Sequence, residues 1–225
     1  MSSYDADLDT AKAMERTGPL ASMSTLYAGP VKRILDLFLV LLILPVILPL
    51  IALLAICVAL DGGNPFYSQL RVGRDGRHFR MWKLRSMVSD ADARLEAYLN
   101  ENPAARAEWD SKQKLFDDPR ITPLGHVIRK TSMDELPQIF NVLWGDMSFV
   151  GPRPMMVQQQ QIYPGLAYFN LRPGITGPWQ VSDRNGSTFA ARAEFDNRYY
   201  ETLSFRQDIW LLLATVRIVF RGTGR

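Results

Sequence analysis

Residues 37–60 read LFLVLLILPVILPLIALLAICVAL, an uncharged stretch with prolines at positions 45 and 49 and basic residues on both sides. As one straight helix rising about 1.5 Å per residue it would reach about 36 Å, enough to cross a hydrocarbon core of about 30 Å. Pro45 and Pro49 argue against a straight crossing, because each removes a backbone donor and crowds the preceding turn. The expected product is two short arms meeting at a bend, neither long enough to cross alone. The flanks agree. Lys32 and Arg33 precede the stretch, and Arg71, Arg74, Arg77, Arg80, Lys83 and Arg85 follow it, so the positive-inside rule puts both ends on one side. The stretch reads as a re-entrant hairpin dipping into one leaflet. A proline-kinked helix that crosses once is the other reading its hydropathy allows.

Composition narrows what the rest can do. The chain has 225 residues, and the part beyond residue 61 is long enough for one compact lobe with its own core. The formal charge is only +3 although the pI is about 9.1, so the basic groups matter by location: they gather just past the apolar stretch, where anionic headgroups or phosphorylated ligands would sit. A nucleic-acid binder would be more basic. The single cysteine, Cys57, lies inside the apolar stretch, which excludes an intramolecular disulfide and disfavours thiol catalysis. His78 and His126 stand alone without metal-ligand spacing, so acid, base and nucleophile must come mostly from Asp and Glu.

Residues 1–30 show no sustained period and read as a flexible tail; residues 31–61 are the membrane hairpin and 62–225 the lobe. The apolar run starts too late and leads too directly into basic sequence for a cleaved signal peptide. In KRILD, residues 32–36, Lys32 and Arg33 can reach headgroups while Asp36 pairs with one of them, which makes the motif a topological anchor. FYSQLRVGRDGRHFRMWKL, residues 66–84, reads as a strand pair turning through Arg74-Asp75-Gly76. Helices follow from about Ser89 to Asn100 and again from Pro103, the latter carrying Trp109 and Leu115. At the C-terminal end, residues 204–220 form an amphipathic helix suited to the membrane interface or to packing under the hairpin.

The chemistry gathers in DDPRITPLGHVIRKTSMDELPQIFNVLWGDMSFVGPRP, residues 117–154. Asp134 and Glu135 open an expected helix with Pro137 in its first turn, and Ser132-x-x-Glu135 fits a capping box, so this acidic pair has a structural explanation to hand. The same position suits catalysis. Exposed amides would hold a carboxylate ionised, and two adjacent carboxylates can share a hard cation such as Mg²⁺. Lys83, Arg85, Arg129, Lys130, Arg153 and Arg172 are candidates to hold phosphates, and Gly151-Pro152-Arg153-Pro154 would fix the backbone behind one guanidinium. Trp179-Gln180 reads as a core anchor in preference to part of a ligand pocket.

KRILD before a proline-broken apolar segment, PFYSQLRVG, KLRSM, TSMDELPQIFNVLWGDMSFVGPRP and RPGITGPWQV together resemble the bacterial sugar transferases that are monotopic polyprenyl-phosphate phosphoglycosyl transferases; the resemblance covers about residues 31–222. The stretch ENPAARAEWDSKQKLFDDPRIT, residues 101–122, is similar to that of exopolysaccharide-initiating galactose-phosphate transferases. The resemblance implies a single α+β lobe on a re-entrant hairpin at the cytoplasmic face of the bacterial inner membrane. It implies transfer of a sugar 1-phosphate from a UDP-sugar, galactose ahead of glucose, to undecaprenyl phosphate, with UMP released by double displacement. By the same resemblance Asp134 is the nucleophile, Glu135 assists with Mg²⁺ or protons, and Lys83, Arg85, Arg129 and Arg153 contact phosphates. Membrane lipids are implied as partners, nucleic acid is not, and a homodimer stays open. Two departures stand out: Leu48 precedes Pro49 where many members have Ser, and Asp183 stands where Gly is frequent. A non-catalytic membrane scaffold and a conventional glycosyltransferase releasing UDP are the competing functions.

Overall fold

The computed structural model describes residues 26–112, 115–182 and 189–220; residues 1–25, which hold most of the expected tail, and Asp183 lie outside them. The class is α+β. The apolar stretch forms α1, Lys32–Ala59, helical through both Pro45 and Pro49. Pro45 and Pro49 are one helical turn apart, so the donors they remove fall on one face of the helix. A two-stranded sheet follows, β1 Phe66–Val72 and β2 His78–Leu84, joined as expected through Asp75 and Gly76, both at positive φ. Then come α2 Ala91–Glu101, α3 Pro103–Lys112, α4 Pro123–Lys130 and α5 Gln138–Trp144. A parallel pair, β3 Ser148–Val150 and β4 Gly174–Thr176, encloses α6 Ala167–Asn170, and α7 Pro178–Val181, α8 Arg192–Thr202 and α9 Phe205–Phe220 complete the order.

Contacts divide the chain into two compact units. The first takes the start of α1 up to Leu42, residues 70–80 and residues 141–217. Val150, Leu171, Tyr199, Leu203 and Leu211 form one part of its core around Tyr27. Val72, Met155, Tyr163, Tyr168 and Ala193 form another. Ser148 pairs with Gly174 and Val150 with Thr176, and the glycines let backbone meet backbone: a Cβ on Gly151 would lie 2.2 Å from the Arg172 carbonyl oxygen, one on Gly177 2.0 Å from that of Gly151. The GPRP and RPGITG stretches therefore interlock.

KRILD docks α1 into this unit. Lys32 Nζ meets Asp208 and the Tyr199 hydroxyl, Arg33 donates to the Val142 and Leu143 carbonyls at 2.5 and 2.8 Å, and Asp36 accepts from Ser148 Oγ and the Phe149 amide. Asp36 was expected to pair with Lys32 or Arg33; its hydrogen bonds run instead to the start of β3, because a buried carboxylate needs donors that the preceding helical turn does not supply.

The second unit takes residues 43–69 and 81–140. Ala55 and Val58 near the end of α1 pack with Leu84 and Ile128, joined by Leu54, Leu124 and Met133. Gly125 in α4 passes so close to the strand exit that a Cβ would sit 2.0 Å from the Ser86 carbonyl oxygen. Much of α1 is open: Leu41, Leu42, Val46, Leu48, Leu53 and Ile56 are exposed, while Val40 and Ile51 are buried. A helix apolar all round with so much of that surface exposed wants lipid. Among the described residues it is the one helix long and apolar enough to cross a membrane.

Candidate active site

Threonine and proline start α4 in the usual way. Thr122 caps it, accepting from the Gly125 amide at 2.9 Å, and Pro123 occupies a first-turn position where no donor is missed. Arg129 and Lys130 close the helix, and Ser132 then adopts a left-handed conformation, φ 58°. A non-glycine residue there costs about 1 kcal/mol or more, and it reverses the chain into the tight turn Met133–Glu135. The capping box expected between Ser132 and Glu135 is not formed: the Ser132 side chain makes no capping bond, and Glu135 reaches Lys83 instead. Asp134 and Glu135 thus sit on a short 3₁₀ turn ahead of α5, not on the first turn of α5 itself.

Lys83, from β2, meets both carboxylates. Its Nζ lies 2.7 Å from Glu135 Oε1 and 3.5 Å from Asp134 Oδ2. Burial pushes the Asp134 carboxyl above the ordinary aspartate value, and Glu135 adds to the rise, while Lys83 and Arg129 pull against it. Exposed helix amides had been expected to hold this group ionised; two cationic side chains do that work against desolvation. The result is a carboxylate that is poorly hydrated, which favours nucleophilic attack. Among the described residues no group of three or more His, Cys, Asp or Glu forms a metal cage. Two adjacent carboxylates still fit Mg²⁺, which takes oxygen ligands and fills its shell with water and substrate phosphates.

Arg85 is committed elsewhere within this unit. Its guanidinium pairs with Asp61 and donates to the carbonyls of Val58 at 3.0 Å, Asn64 at 2.7 Å and Met87 at 3.1 Å, tying the end of α1 to the strand exit. Of the expected phosphate contacts, Lys83 and Arg129 stand with Asp134 and Glu135, Arg85 works as a fastener, and Arg153 belongs to the other unit.

There the Arg153 guanidinium lies over Trp179, its Cζ 5.8 Å from the ring centroid, and a second guanidinium, that of Arg192, lies 5.1 Å from the same ring. Among the described residues the Arg153 guanidinium has no hydrogen bond or ion pair, and its contact is the Trp179 ring. Trp179 is half-buried and carries two cations where a core anchor had been expected; Gln180 is the buried partner. Arg192 went unread in the sequence. Its one local signal is Asp196, one helical turn later, whose carboxyl is pushed up to about 6 by burial, against the opposing pull of the Tyr163 hydroxyl and Arg192.

The bacterial sugar transferase family model matches residues 27–222. A UDP-galactose-lipid carrier transferase from Erwinia amylovora is 47% identical over 195 residues, covering 86% of this chain and 41% of the relative. An exopolysaccharide production protein, ExoY, from Sinorhizobium fredii is 42% identical over 199 residues, 87% of this chain and 88% of the relative. An undecaprenyl-phosphate galactose phosphotransferase from Salmonella typhimurium is 44% identical over 195 residues, again 86% and 41%. The chain thus spans about two fifths of the length of two of these relatives and most of the third. The match runs from Tyr27, the first residue anchored in the core, through Asp134, Glu135 and Arg153 to the end of α9, and the chain belongs to the bacterial sugar transferase family.

Proposed function

We propose that this chain transfers a sugar 1-phosphate, galactose 1-phosphate first among candidates, from a UDP-sugar to undecaprenyl phosphate through a covalent intermediate on Asp134. The observation that carries the reading is Asp134 itself: a largely buried carboxylate with a raised proton affinity, held beside Lys83 and Glu135 on one strained turn. A side chain Oδ of Asp134 attacks the phosphorus attached to the sugar, the bond to the bridging oxygen breaks, and UMP leaves with that electron pair. An oxygen of the polyprenyl phosphate then attacks the same phosphorus and frees Asp134. Lys83 bridges Asp134 and Glu135 and pulls against the desolvation of Asp134, and Arg129 adds positive charge where phosphate oxygens arrive. Arg153 is assigned a phosphate of the donor. Asp134 and Glu135 would hold Mg²⁺, which when bound offsets the charge of the diphosphate and of departing UMP.

The names of the galactose-transferring relatives and of the exopolysaccharide protein support the donor and the place of the reaction at the start of exopolysaccharide assembly. The expectation of a re-entrant membrane segment also finds support. Lys32 and Asp36 at the start of α1 bind residues 148–208, and Ala55 and Val58 near its end pack with Leu84 and Ile128. Between those partners the described residues contain no other helix long and apolar enough to cross. Both ends of α1 therefore stay with the polypeptide that follows it, which favours a dip into the cytoplasmic leaflet over a crossing. On α9 the exposed Phe205, Trp210, Leu213 and Val216 suit the interface of the same leaflet.

The test uses UDP-galactose labelled in the phosphate next to the sugar and a stoichiometric amount of enzyme without acceptor. One equivalent of UMP and a labelled protein adduct are expected, and Asp134→Asn should form neither. Release of UDP would overturn the reaction class, absence of an adduct would replace the covalent route by direct transfer, and equal turnover of UDP-glucose would reassign the sugar.

A further inference from the structure

The backbone around Arg153 is fastened at three successive residues. The Gly151 amide donates to the Thr176 carbonyl at 2.8 Å, the Pro152 carbonyl accepts from the Gly174 amide at 2.8 Å, and the Arg153 carbonyl accepts from Arg192 Nη2 at 2.6 Å. Only the last of these comes from a side chain. Arg192 is 6% exposed, too deep for its own head to meet a soluble ligand, and it spreads across two rings, Trp179 at 5.1 Å and Phe189 at 5.0 Å. Its Nε is buried and meets no acceptor among the described residues. Asp196, the carboxylate within electrostatic reach, is engaged by the Tyr163 hydroxyl at 2.5 Å. A buried guanidinium kept in this state is expensive unless its location matters. What it touches is the carbonyl of Arg153 and the ring over which Arg153 lies.

We infer that Arg192 is a positioning residue of the donor site: it clamps the Arg153 carbonyl and shares the Trp179 ring, so that Arg153 presents its guanidinium to a phosphate of the nucleotide. This rests on the reading of Arg153 as a phosphate contact. The prolines on either side of Arg153 restrict the backbone dihedrals, the Arg192 bond holds the carbonyl, and the Trp179 ring lies within cation-π reach of the guanidinium. A phosphate binding there meets a fork that has little freedom left to lose. Arg192 also brings a second positive charge close to the first, which an anion at Arg153 would help to offset beside Asp196.

The experiment is a double-mutant cycle on UDP affinity, measured by titration calorimetry on the full chain in detergent, with melting temperature as the check on folding. Arg153→Ala is expected to weaken UDP about tenfold or more and Arg192→Met by a comparable factor. The double variant should be no weaker than about twofold below the worse single variant, because both changes remove one interaction. If Arg192→Met fails to fold, Arg192→Lys takes its place; it keeps the charge and a donor but loses the planar fork, and a loss of about threefold, absent on an Arg153→Ala background, is expected. Losses that multiply in the double variant would show Arg192 acting on the fold at large and overturn the inference. Unchanged affinity in the Arg192 variants beside a weakened Arg153→Ala would overturn it while leaving the phosphate contact standing. No effect of Arg153→Ala would overturn the phosphate contact and the inference with it.

Discussion

Two clusters in this molecule set a lysine against carboxylate, and they are built to opposite ends. In the first, Lys32 faces Asp208, whose oxygens also take the hydroxyl protons of Tyr27 and Tyr199; the Lys32 side chain is 8% exposed and that of Asp208 1%. Lys32 makes its direct ion pair with Asp208 alone, Asp36 feeling both from farther off, and both oxygens of Asp208 have donors. In the second, Lys83 serves both Asp134 and Glu135, and the three side chains are 22%, 13% and 25% exposed. One cation divided between two anions leaves room for further positive charge and access for a ligand. The closed cluster docks a helix; the open one is left able to react. The comparison breaks most clearly on the matched pair Asp208→Asn and Asp134→Asn. Asp208→Asn strands a buried lysine and should cost about 3 to 5 kcal/mol of stability, enough to lose the folded protein at ordinary temperature. Asp134→Asn should abolish UMP release, by a factor of about 10³ or more, with melting temperature unchanged or raised, since it removes a charge the fold disfavours. Thermal melts of both proteins beside UMP release measure this, and a destabilised Asp134→Asn would mean that the second cluster is structural too.

What could be read beforehand follows the same division. The apolar stretch, the Asp75-Gly76 turn, the helices after Ala91 and Pro103 and the Asp134-Glu135 pair all announce themselves within a few residues, because turn chemistry and hydrophobic period are local. The partners of KRILD are not local: Lys32 and Asp208 are 176 positions apart, and Asp36 and Ser148 112. No pattern in five residues states where their bonds will go, so an anchor for headgroups was the natural expectation. The capping box failed for a related reason. Ser132 and Glu135 have the right spacing, but Lys83, 52 positions earlier, draws Glu135 away, and a charged partner is a stronger attraction than a backbone amide. Arg85 fits a phosphate motif equally well as a word in sequence; only Asp61 and three carbonyls around it show the guanidinium already in use.

The open cluster should also differ from the closed one in its need for a divalent ion. Chelation is expected to lower turnover by about a hundredfold or more, restored by Mg²⁺, with no change in melting temperature, because the ion meets a site and not a core. Turnover that survives a chelator would remove Mg²⁺ from the proposal, and a fall in melting temperature would make it a structural ion.

A third buried carboxylate sharpens the contrast through pH. Asp196 carries its proton up to about 6 in the folded chain, against an ordinary value near 4, so the folded state binds that proton more tightly than the unfolded state does. Its contribution to stability is therefore fully present below pH about 4 and is lost as pH rises through about 6, at most about 3 kcal/mol in all. Asp196→Asn keeps an acceptor for Tyr163 but cannot ionise. Relative to the parent protein it should gain stability steadily from pH 4 to 6 and then level off, as followed by melting in buffers across that range. A constant difference across that range would show that Asp196 is not the group that titrates there.

The smallest effect tests whether Arg85 belongs with the closed cluster or the open one. It sits in sequence two residues after Lys83, yet its donors are spent on Asp61 and on the Val58, Asn64 and Met87 carbonyls, which is the pattern of Lys32 and Arg33 at the opposite end of α1. Arg85→Lys keeps a positive charge for any phosphate nearby but cannot reach four separate partners with one ammonium group. If the guanidinium is a fastener, the variant should lose about 2 kcal/mol of stability while UDP affinity stays within about twofold of the parent. A phosphate contact predicts the reverse, with stability held and UDP weakened by the loss of a bidentate fork. Melting temperature and calorimetric titration on the same preparation decide between them, and the first outcome would extend the lesson of Lys32: on this chain, a cation with all its donors engaged holds the fold, and the chemistry is left to those with donors to spare.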